Sequence, residues 1–295
     1  MIGRELIIKL MSYWFGSKRF LESKQGYPAD YTWAMEGYQL WKLRDAEGIP
    51  IISITTNDIN PSAVLGFAFG SIQAESYTIE KLSYIQGLLY KNLDINFGIY
   101  TRQKLTSHSG EWYSILYQGL FISFLGCLAD LNVSETPTNI ISAIRKSVDF
   151  VIDHGEKHNI CIPKDNVLQL NEFPNDYRSE VLNGSLVYAV ALESVEAFLS
   201  TKQKRHLELV RRSICLLVVR CDVGYWSLYQ PHTDNYSTPD YHNLHTTLLG
   251  DLLKRNNHHY NSLNTIYKKW SVGVTRRDIR ISALIKKIRW TLSKN

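Results

Sequence analysis

The segment PDYHNLHTTLLGDLL begins with side chains that can exchange protons or bind hydroxyl groups, namely Tyr241, His242 and His245. The two histidines are three residues apart, so on a helix they lie on the same face. There they could hydrogen-bond a polar ligand or hold Tyr241 in place. The structural alternative is that Asp240 caps the helix and that backbone groups satisfy both imidazoles. The spacing alone leaves both interpretations open.

Two other segments place acidic, basic and aromatic groups together between apolar stretches. NEFPNDYRSEVLNG contributes Glu172, Arg178 and Asn183, and GYWSLYQ contributes Tyr229. Polar aromatic loops on a helical scaffold are typical of a binding cleft. Asn183 has a structural alternative, because asparagine is also a common helix N-cap.

The elements that must position these groups are predicted to be helices. From about residue 60 onward, apolar residues recur at helical spacing in one segment after another. WYSILYQGLFISFLGCLADL is apolar on most sides and predicts an inner helix, whereas ELVRRSICLL mixes charged and apolar residues as an outer helix does. Asn60 and Pro61 predict a helix start, since a polar cap precedes a proline in the first turn. The pattern therefore predicts two layers of paired helices.

Three blocks of the sequence, in the same order, resemble the C-terminal catalytic region of D-glucuronyl C5-epimerases. They are WYSILYQGLFIS, NEFPNDYRSEVLNG and GYWSLYQ followed by DYHNLHTTLL. The family sequences read approximately WYSAMAQGQAIS, EEYPxxPxxxVLNG, GYWSxYD and YHxxHxxxL. The resemblance implies a mainly α fold, an incomplete (α/α) toroid of paired helices with a few short N-terminal and inter-helix β-strands.

The resemblance also implies a reaction and a substrate. These enzymes convert D-glucuronate to L-iduronate residues in an acidic, heparosan-like polysaccharide. Epimerisation at C5 removes a proton next to a carboxylate and returns one to the opposite face, so it needs an acid–base group on each side of the ring. A further group must stabilise the ene-diolate that forms when charge moves onto the carboxyl oxygens.

Carried over by the motifs, the catalytic roles fall on Glu172, Tyr241 and Tyr229, with Glu172 and Tyr241 as the proton-transfer pair. Candidates for binding the substrate come from all three blocks and from the segment before them. They are Arg178, His242, His245, Trp112, Tyr113, Gln118, Asn183 and Arg102. For the aromatic pair the alternative is core packing, and for Arg102 it is a solvated surface charge.

Two departures from the family pattern bear on activity. Phe173 stands where the family has tyrosine, and Gln230 stands where it has an acid. If the missing hydroxyl stabilises developing charge, its loss costs about 10²–10³ in rate. Two alternatives therefore stay open beside the epimerase. One is a glycan-binding protein with impaired catalysis, and the other is a β-eliminating lyase, whose reaction begins with the same proton abstraction.

The composition of the chain excludes fewer classes of function than its motifs do. The 295 residues carry 44% hydrophobic residues and a net charge of +5, which suits a globular protein with an anionic partner. We expect no nucleic-acid partner, because no recognition motif accompanies the scattered basic residues. We expect no cofactor and no metal, since His154, His158 and Cys161 lack a further ligand for zinc.

The domain organisation and location follow from weaker signals. We expect residues 1–59 to form an extension with short strands and turns, and residues 60–295 to form the epimerase-like domain. The first residues contain neither a signal peptide nor an apolar run long enough to span a membrane, which predicts a cytoplasmic protein. An amphipathic segment near the C-terminus leaves peripheral membrane association open. A homodimer is also left open.

Overall fold

The computed structural model describes residues 43–51, 58–102, 110–131, 137–173, 180–231 and 233–293, and the chain is mainly helical, as predicted. Short strands connect some of the helices. The helices are α1 (Pro61–Gln73), α2 (Ile79–Tyr90), α3 (Ile115–Asp130), α4 (Pro137–His154), α5 (Leu182–Ser194), α6 (Thr201–Cys221), α7 (Pro239–Arg255), α8 (Asn264–Thr275) and α9 (Arg277–Ser293).

The strands form two small antiparallel hairpins. Strand β1 (Tyr100–Thr101) pairs with β2 (Trp112–Tyr113), and β3 (Cys161–Lys164) pairs with β4 (Val167–Leu170). Each hairpin ends next to a site segment, because β2 leads into α3 and β4 leads into Asn171. Most of the predicted extension over residues 1–59, with its short strands, lies outside the described residues.

Helices α1, α3, α5 and α7 form an inner layer, in which each packs against the next one in this order. Their apolar residues point in nearly every direction, so α1, α3 and α5 are buried on almost all sides. The prediction that the segment around α3 is an inner helix is confirmed. Helices α2, α4 and α6 pack outside α1, α3 and α5, and α6 carries the charged face expected of an outer helix.

The helix starts show which polar residues are caps. Asn60 accepts hydrogen bonds from the backbone of Ser62 and Ala63, and Pro61 occupies the first turn, so the predicted start of α1 is confirmed. Helix α5 has no side-chain cap, and Asn183 lies inside its first turn. Helix α7 also has no side-chain cap, so Asp240 does not play the capping role that the structural alternative requires.

The last helix covers an aromatic residue of the site region. Ala283 and Leu284 of α9 pack with Trp226 in a small cluster of their own. Lys287 of the same helix contacts the side chain of Asn235. Within the part of the chain that the structure describes, no helix is both long enough and apolar enough to cross a bilayer.

Helices α3 and α5 approach each other closely at Gly119. A methyl group added there would lie 2.8 Å from the Cα atom of Tyr188 and 2.9 Å from its backbone nitrogen. A backbone cannot move away as a flexible side chain can, so only glycine permits this approach. The spacing of the two central helices therefore depends on one residue.

We predict that Gly119→Ala destabilises the protein by about 1–3 kcal/mol, because the added methyl group forces α3 and α5 apart. The midpoint of urea unfolding measures this change. Gly87→Ala is the matched control, since Gly87 lies on exposed α2 and a methyl group there would meet nothing within 4 Å. The control is expected to stabilise the protein by about 0.5–1 kcal/mol through helix propensity. Equal effects of the two substitutions would contradict the close approach.

Candidate active site

Glu172 is positioned by the residue before it. The backbone of Asn171 accepts a hydrogen bond from Ile115 N and donates one to Ile160 O, at 3.1 and 2.9 Å. The side chain of Asn171 donates to Asn159 O and accepts from Gln169 Nε2, at 2.9 Å each. These bonds tie Asn171 to the start of α3 and to the β3–β4 hairpin. Glu172 is therefore held against the inner helices.

The carboxyl group of Glu172 lies between the first turns of α3 and α5. A methyl group added at Gly184 would lie 3.2 Å from Glu172 Oε2, and Ile115 Cγ2 and Leu116 Cβ would lie 3.4 and 3.5 Å from the same methyl group. Glycine at this position leaves room for the carboxylate. Glu172 is only 8% exposed, and its Oε2 has no hydrogen-bond partner among the described residues.

Burial raises the pKa of Glu172 from 4.5 to about 7, and a hydrogen bond from the Asn183 side chain opposes the shift. The direction follows from desolvation, which disfavours the charged form. A carboxyl group with a pKa near 7 can both take up and release a proton at neutral pH. Glu172 is thus suited to proton transfer.

Two tyrosines lie near this carboxyl group. The backbone of Tyr229 accepts from Leu182 N at 3.1 Å, at the start of α5, and donates to Asn235 O at 2.8 Å. The rings of Tyr229 and Tyr241 meet edge to face with centroids 4.9 Å apart, and their side chains share a hydrogen bond. Tyr241 is 36% exposed and Tyr229 is half-buried, so Tyr241 is the more exposed member of the pair.

Burial raises the pKa of the Tyr229 phenol well above 10, and the nearby Glu172 and Tyr241 side chains raise it further. The effect of Glu172 on this pKa means that the carboxyl group and the tyrosine pair share one electrostatic environment. Tyr229 therefore stays protonated and can donate its proton in a hydrogen bond. The structure thus brings Glu172, Tyr229 and Tyr241 together, as the motifs predict.

His242 is fully engaged by protein groups. Its Nε2 lies 3.2 Å from Trp270 O, its Nδ1 accepts from Ser227 N at 3.2 Å, and its ring stacks on Trp226 with centroids 3.9 Å apart. Burial lowers its pKa to about 3, so the ring is neutral. These contacts favour a structural role for His242 over substrate binding.

His245 differs from His242 in having an unused nitrogen. Ser227 Oγ lies 2.9 Å from Nδ1 of both histidines, whereas His245 Nε2 is buried without a partner among the described residues. Because Trp270 O can only accept, His242 carries its proton on Nε2 and its Nδ1 is bare. The single Ser227 hydroxyl proton then lies between Ser227 and His242, since two lone pairs would otherwise face each other at 2.9 Å.

This assignment fixes the tautomer of His245. Ser227 Oγ, having donated to His242, accepts from His245 Nδ1–H. His245 Nε2 is therefore a bare acceptor, and burial keeps the ring neutral by lowering its pKa well below 6.5. The Tyr241 and His245 rings lie 6.4 Å apart, so this acceptor is close to the tyrosine pair.

The residues predicted from the WYSILYQG block are buried and contact other protein groups. Gln118 is fully buried, and its amide group accepts from Ile99 N and donates to Ile99 O at 3.0 and 2.7 Å. Tyr113 donates to Asp94 at 3.1 Å and packs on His158 with ring centroids 4.2 Å apart. Trp112 is buried as well. Core packing, the alternative for the aromatic pair, is the interpretation that these contacts favour.

Of the two predicted basic residues, the structure describes Arg102 but not Arg178. Arg102 is half exposed and forms ion pairs with Glu111 at 2.7 Å and with Asp58 at 3.4 Å. A polyanion would have to compete with these carboxylates for its guanidinium group. Arg178 lies outside the described residues, so its predicted role stays a prediction. Among the described residues, no group of three or more His, Cys, Asp or Glu side chains could hold a metal ion.

Two residues near the site were not predicted from the sequence. Ser227 bridges the two histidines, and Tyr117 of α3 lies close enough to Glu172 for the carboxylate to raise the pKa of its phenol. A buried tyrosine in the first turns of an otherwise apolar helix was a usable signal for Tyr117. Ser227 gave none, because a serine between Trp226 and Leu228 has no characteristic spacing to a histidine.

Comparison with known proteins identifies one family. Residues 88–272 match the model of a protein family described as the D-glucuronyl C5-epimerase C-terminus. The match contains the first turns of α3, α5 and α7 together with Glu172, Tyr229 and Tyr241. No protein with a curated function matches the chain.

We predict that Glu172→Gln stabilises the protein at pH 8 by up to about 3 kcal/mol and has little effect at pH 4. The pKa of Glu172 rises from 4.5 to about 7 on folding, so between these values the folded state binds more protons than the unfolded state. Stability that depends on this group is therefore present below pH 4.5 and is lost as the pH rises through about 7. Glutamine is neutral at every pH and can still accept from Asn183.

Urea unfolding at both pH values measures this effect. Glu156→Gln is the control, because it removes the charge of an exposed carboxylate and should keep the wild-type dependence on pH. Equal destabilisation by Glu172→Gln at both pH values would show that the carboxyl group is not held in a desolvated position.

Proposed function

Because the chain belongs to the D-glucuronyl C5-epimerase C-terminus family, we propose that it is a uronate C5-epimerase that converts D-glucuronate to L-iduronate residues in an acidic, heparosan-like polysaccharide. The observation that carries the proposal is the Glu172 carboxyl group, buried and with a pKa of about 7, beside the hydrogen-bonded pair of Tyr229 and Tyr241.

In the proposed mechanism, Glu172 and Tyr241 act on opposite faces of the sugar ring. One of them takes the C5 proton, and the electron pair of the C–H bond moves into the carboxyl group to give the ene-diolate. The other then returns a proton to the opposite face. The net reaction inverts C5 and leaves each group with the proton state that the reverse reaction requires.

In this proposal the remaining side chains of the site bind the substrate or orient Tyr241. Tyr229 shares a hydrogen bond with Tyr241 and fixes the direction of its hydroxyl group. His245 Nε2 is a bare acceptor and Asn183 Oδ1 is an acceptor without a partner among the described residues, so both suit sugar hydroxyl donors. Arg178 remains our candidate for neutralising the substrate carboxylate.

The packing of the inner helices supports a proposal about the overall architecture. Each of α1, α3, α5 and α7 packs on the next, with an outer helix following each of the first three. This order of contacts is that of an incomplete (α/α) toroid. The site would then lie at the end where the inner helices begin.

Phe173 favours a second candidate, a glycan-binding protein of the same fold that has lost turnover. The ring of Phe173 packs near Trp112 with centroids 6.2 Å apart and carries no hydroxyl group. A β-eliminating lyase is the third outcome, and its unsaturated product would absorb in the ultraviolet. Both are separated from the epimerase by the fate of the C5 hydrogen.

We predict that the protein incorporates deuterium at C5 of uronate residues when heparosan or N-sulfated heparosan is incubated with it in heavy water. NMR follows both the exchange and the iduronate signals. Glu172→Gln and Tyr241→Phe should each abolish exchange, since each removes one proton-transfer group and keeps the size of its side chain. Binding of the polymer without exchange would support the glycan-binding protein, and an unsaturated product would support the lyase.

We predict opposite dependence on pH for the two directions of the reaction near pH 7. In the direction where Glu172 is the base, it must be ionised, so kcat/KM falls as the pH drops through about 7. In the reverse direction Glu172 is the acid, so kcat/KM falls as the pH rises through about 7. Initial rates of C5 exchange, measured from glucuronate-only and from iduronate-enriched polymers, give the pH dependence of the two directions. If kcat/KM falls toward the same side of pH 7 in both directions, Glu172 is excluded as a proton-transfer group.

A further inference from the structure

Tyr117 is a buried tyrosine on the site side of α3. Its ring lies against Trp112 with centroids 5.3 Å apart, and Trp112 in turn lies 6.2 Å from the ring of Phe173. The three rings therefore form one cluster beside Glu172, the residue that precedes Phe173. Tyr117 is 6% exposed, and Glu172 is buried to nearly the same degree at 8%.

The hydroxyl group of Tyr117 is held by Asn60, the N-cap of α1. The side-chain Oδ1 of Asn60 already accepts from Ser62 N, Ser62 Oγ and Ala63 N, at 2.9, 2.6 and 3.3 Å. Because this oxygen is occupied, the side-chain amide N–H of Asn60 is the group left to hydrogen-bond the phenol of Tyr117, and such a donated bond lowers the pKa of a phenol. Tyr117 therefore accepts this bond and keeps its own proton for donation.

Tyr117 lies near Glu172, at the start of α3. Glu172 Oε2 lies at the first turn of α3, beside Gly184 and close to Ile115 and Leu116. Tyr117 follows these two residues directly. Burial raises the pKa of the phenol and the negative charge of Glu172 raises it further, yet the two side chains share no hydrogen bond within the described residues. The phenol is thus near the carboxylate but is not used by it.

The sequence differs at these two positions from the family pattern that it resembles. The family pattern WYSAMAQG has alanine where this chain has Tyr117, and the pattern EEYP has tyrosine where this chain has Phe173. One hydroxyl is absent and another is present, on two rings that contact the same tryptophan. A site that needs one phenol in this region would keep its chemistry after such an exchange.

We propose that the Tyr117 hydroxyl, oriented by Asn60, donates a hydrogen bond to the substrate carboxyl group as the ene-diolate forms, in place of the hydroxyl that Phe173 lacks. The inference rests on the proposed epimerase function. No proton is transferred in this step, because the phenol stays protonated next to a buried carboxylate. The hydrogen bond becomes stronger as charge moves onto the carboxyl oxygens, so it stabilises the transition state more than the bound substrate.

The test compares four proteins by C5 deuterium exchange on heparosan: wild type, Tyr117→Phe, Phe173→Tyr and the double variant. We expect Tyr117→Phe to lower kcat by about 10²–10³-fold and to leave KM nearly unchanged, as for loss of an oxyanion donor. The double variant should recover about tenfold or more of the lost rate, because its hydroxyl returns on the neighbouring ring of the cluster. Phe173→Tyr alone should change kcat little.

Tyr188→Phe is the matched control for loss of a buried hydroxyl. Tyr188 is fully buried on α5, and its hydroxyl lies 2.9 Å from His206 Nε2 rather than at the site. This variant should lose stability and keep its kcat. A Tyr117→Phe variant that keeps more than about a third of the wild-type kcat overturns the proposal. Loss without recovery in the double variant also overturns it, since the phenol would then serve only the Asn60 contact.

Failure of the proposed function gives a different result. If wild-type protein binds heparosan and exchanges no C5 hydrogen, both the proposed epimerase function and the proposed role of Tyr117 are wrong. If wild type exchanges and only the Tyr117 series departs from expectation, the function stands and the role of Tyr117 does not.

Discussion

The close contact between α3 and α5 is the constraint on which the site depends. Gly119 lets the backbone of α3 approach the backbone of Tyr188, and this approach brings the first turns of both helices together around Gly184. The carboxyl group of Glu172 lies in the space that remains. The backbone of Asn171 also caps the start of α3, and that of Tyr229 caps the start of α5. The same bonds that finish the helices therefore position the reactive side chains.

Two buried carboxylates, those of Glu193 and Glu172, differ in how far their charge is compensated, and this difference distinguishes a structural role from a chemical one. Glu193 is nearly fully buried, but Arg211 binds both of its oxygens at 2.8 Å, so its charge is compensated and fastens α6 to α5. Glu172 receives a neutral amide from Asn183 and the partial positive charge of two helix starts. These compensate it incompletely, so its pKa moves toward neutrality. A compensated pair adds stability, whereas an incompletely compensated carboxyl group can exchange protons.

The sequence predicts the frame of this molecule better than it predicts the use of each polar residue. Helical periodicity identifies α3 as an inner helix because its apolar residues point in all directions. The motifs bring Glu172, Tyr229 and Tyr241 together because their family pattern carries the spatial arrangement. Spacing could not distinguish His242 from His245, because only His242 Nε2 contacts Trp270 O, and Trp270 is distant in sequence. Spacing also could not show that the Gln118 side chain hydrogen-bonds the backbone of Ile99, because the two residues are far apart in sequence.

Several polar atoms near the site are buried and lack partners within the described residues, namely Glu172 Oε2, Asn183 Oδ1 and His245 Nε2. Each costs stability, since a buried polar atom without a hydrogen bond has lost its contact with water. A ligand rich in hydroxyl groups would supply the missing donors and offset this cost on binding. These unsatisfied atoms thus favour a sugar over an apolar ligand.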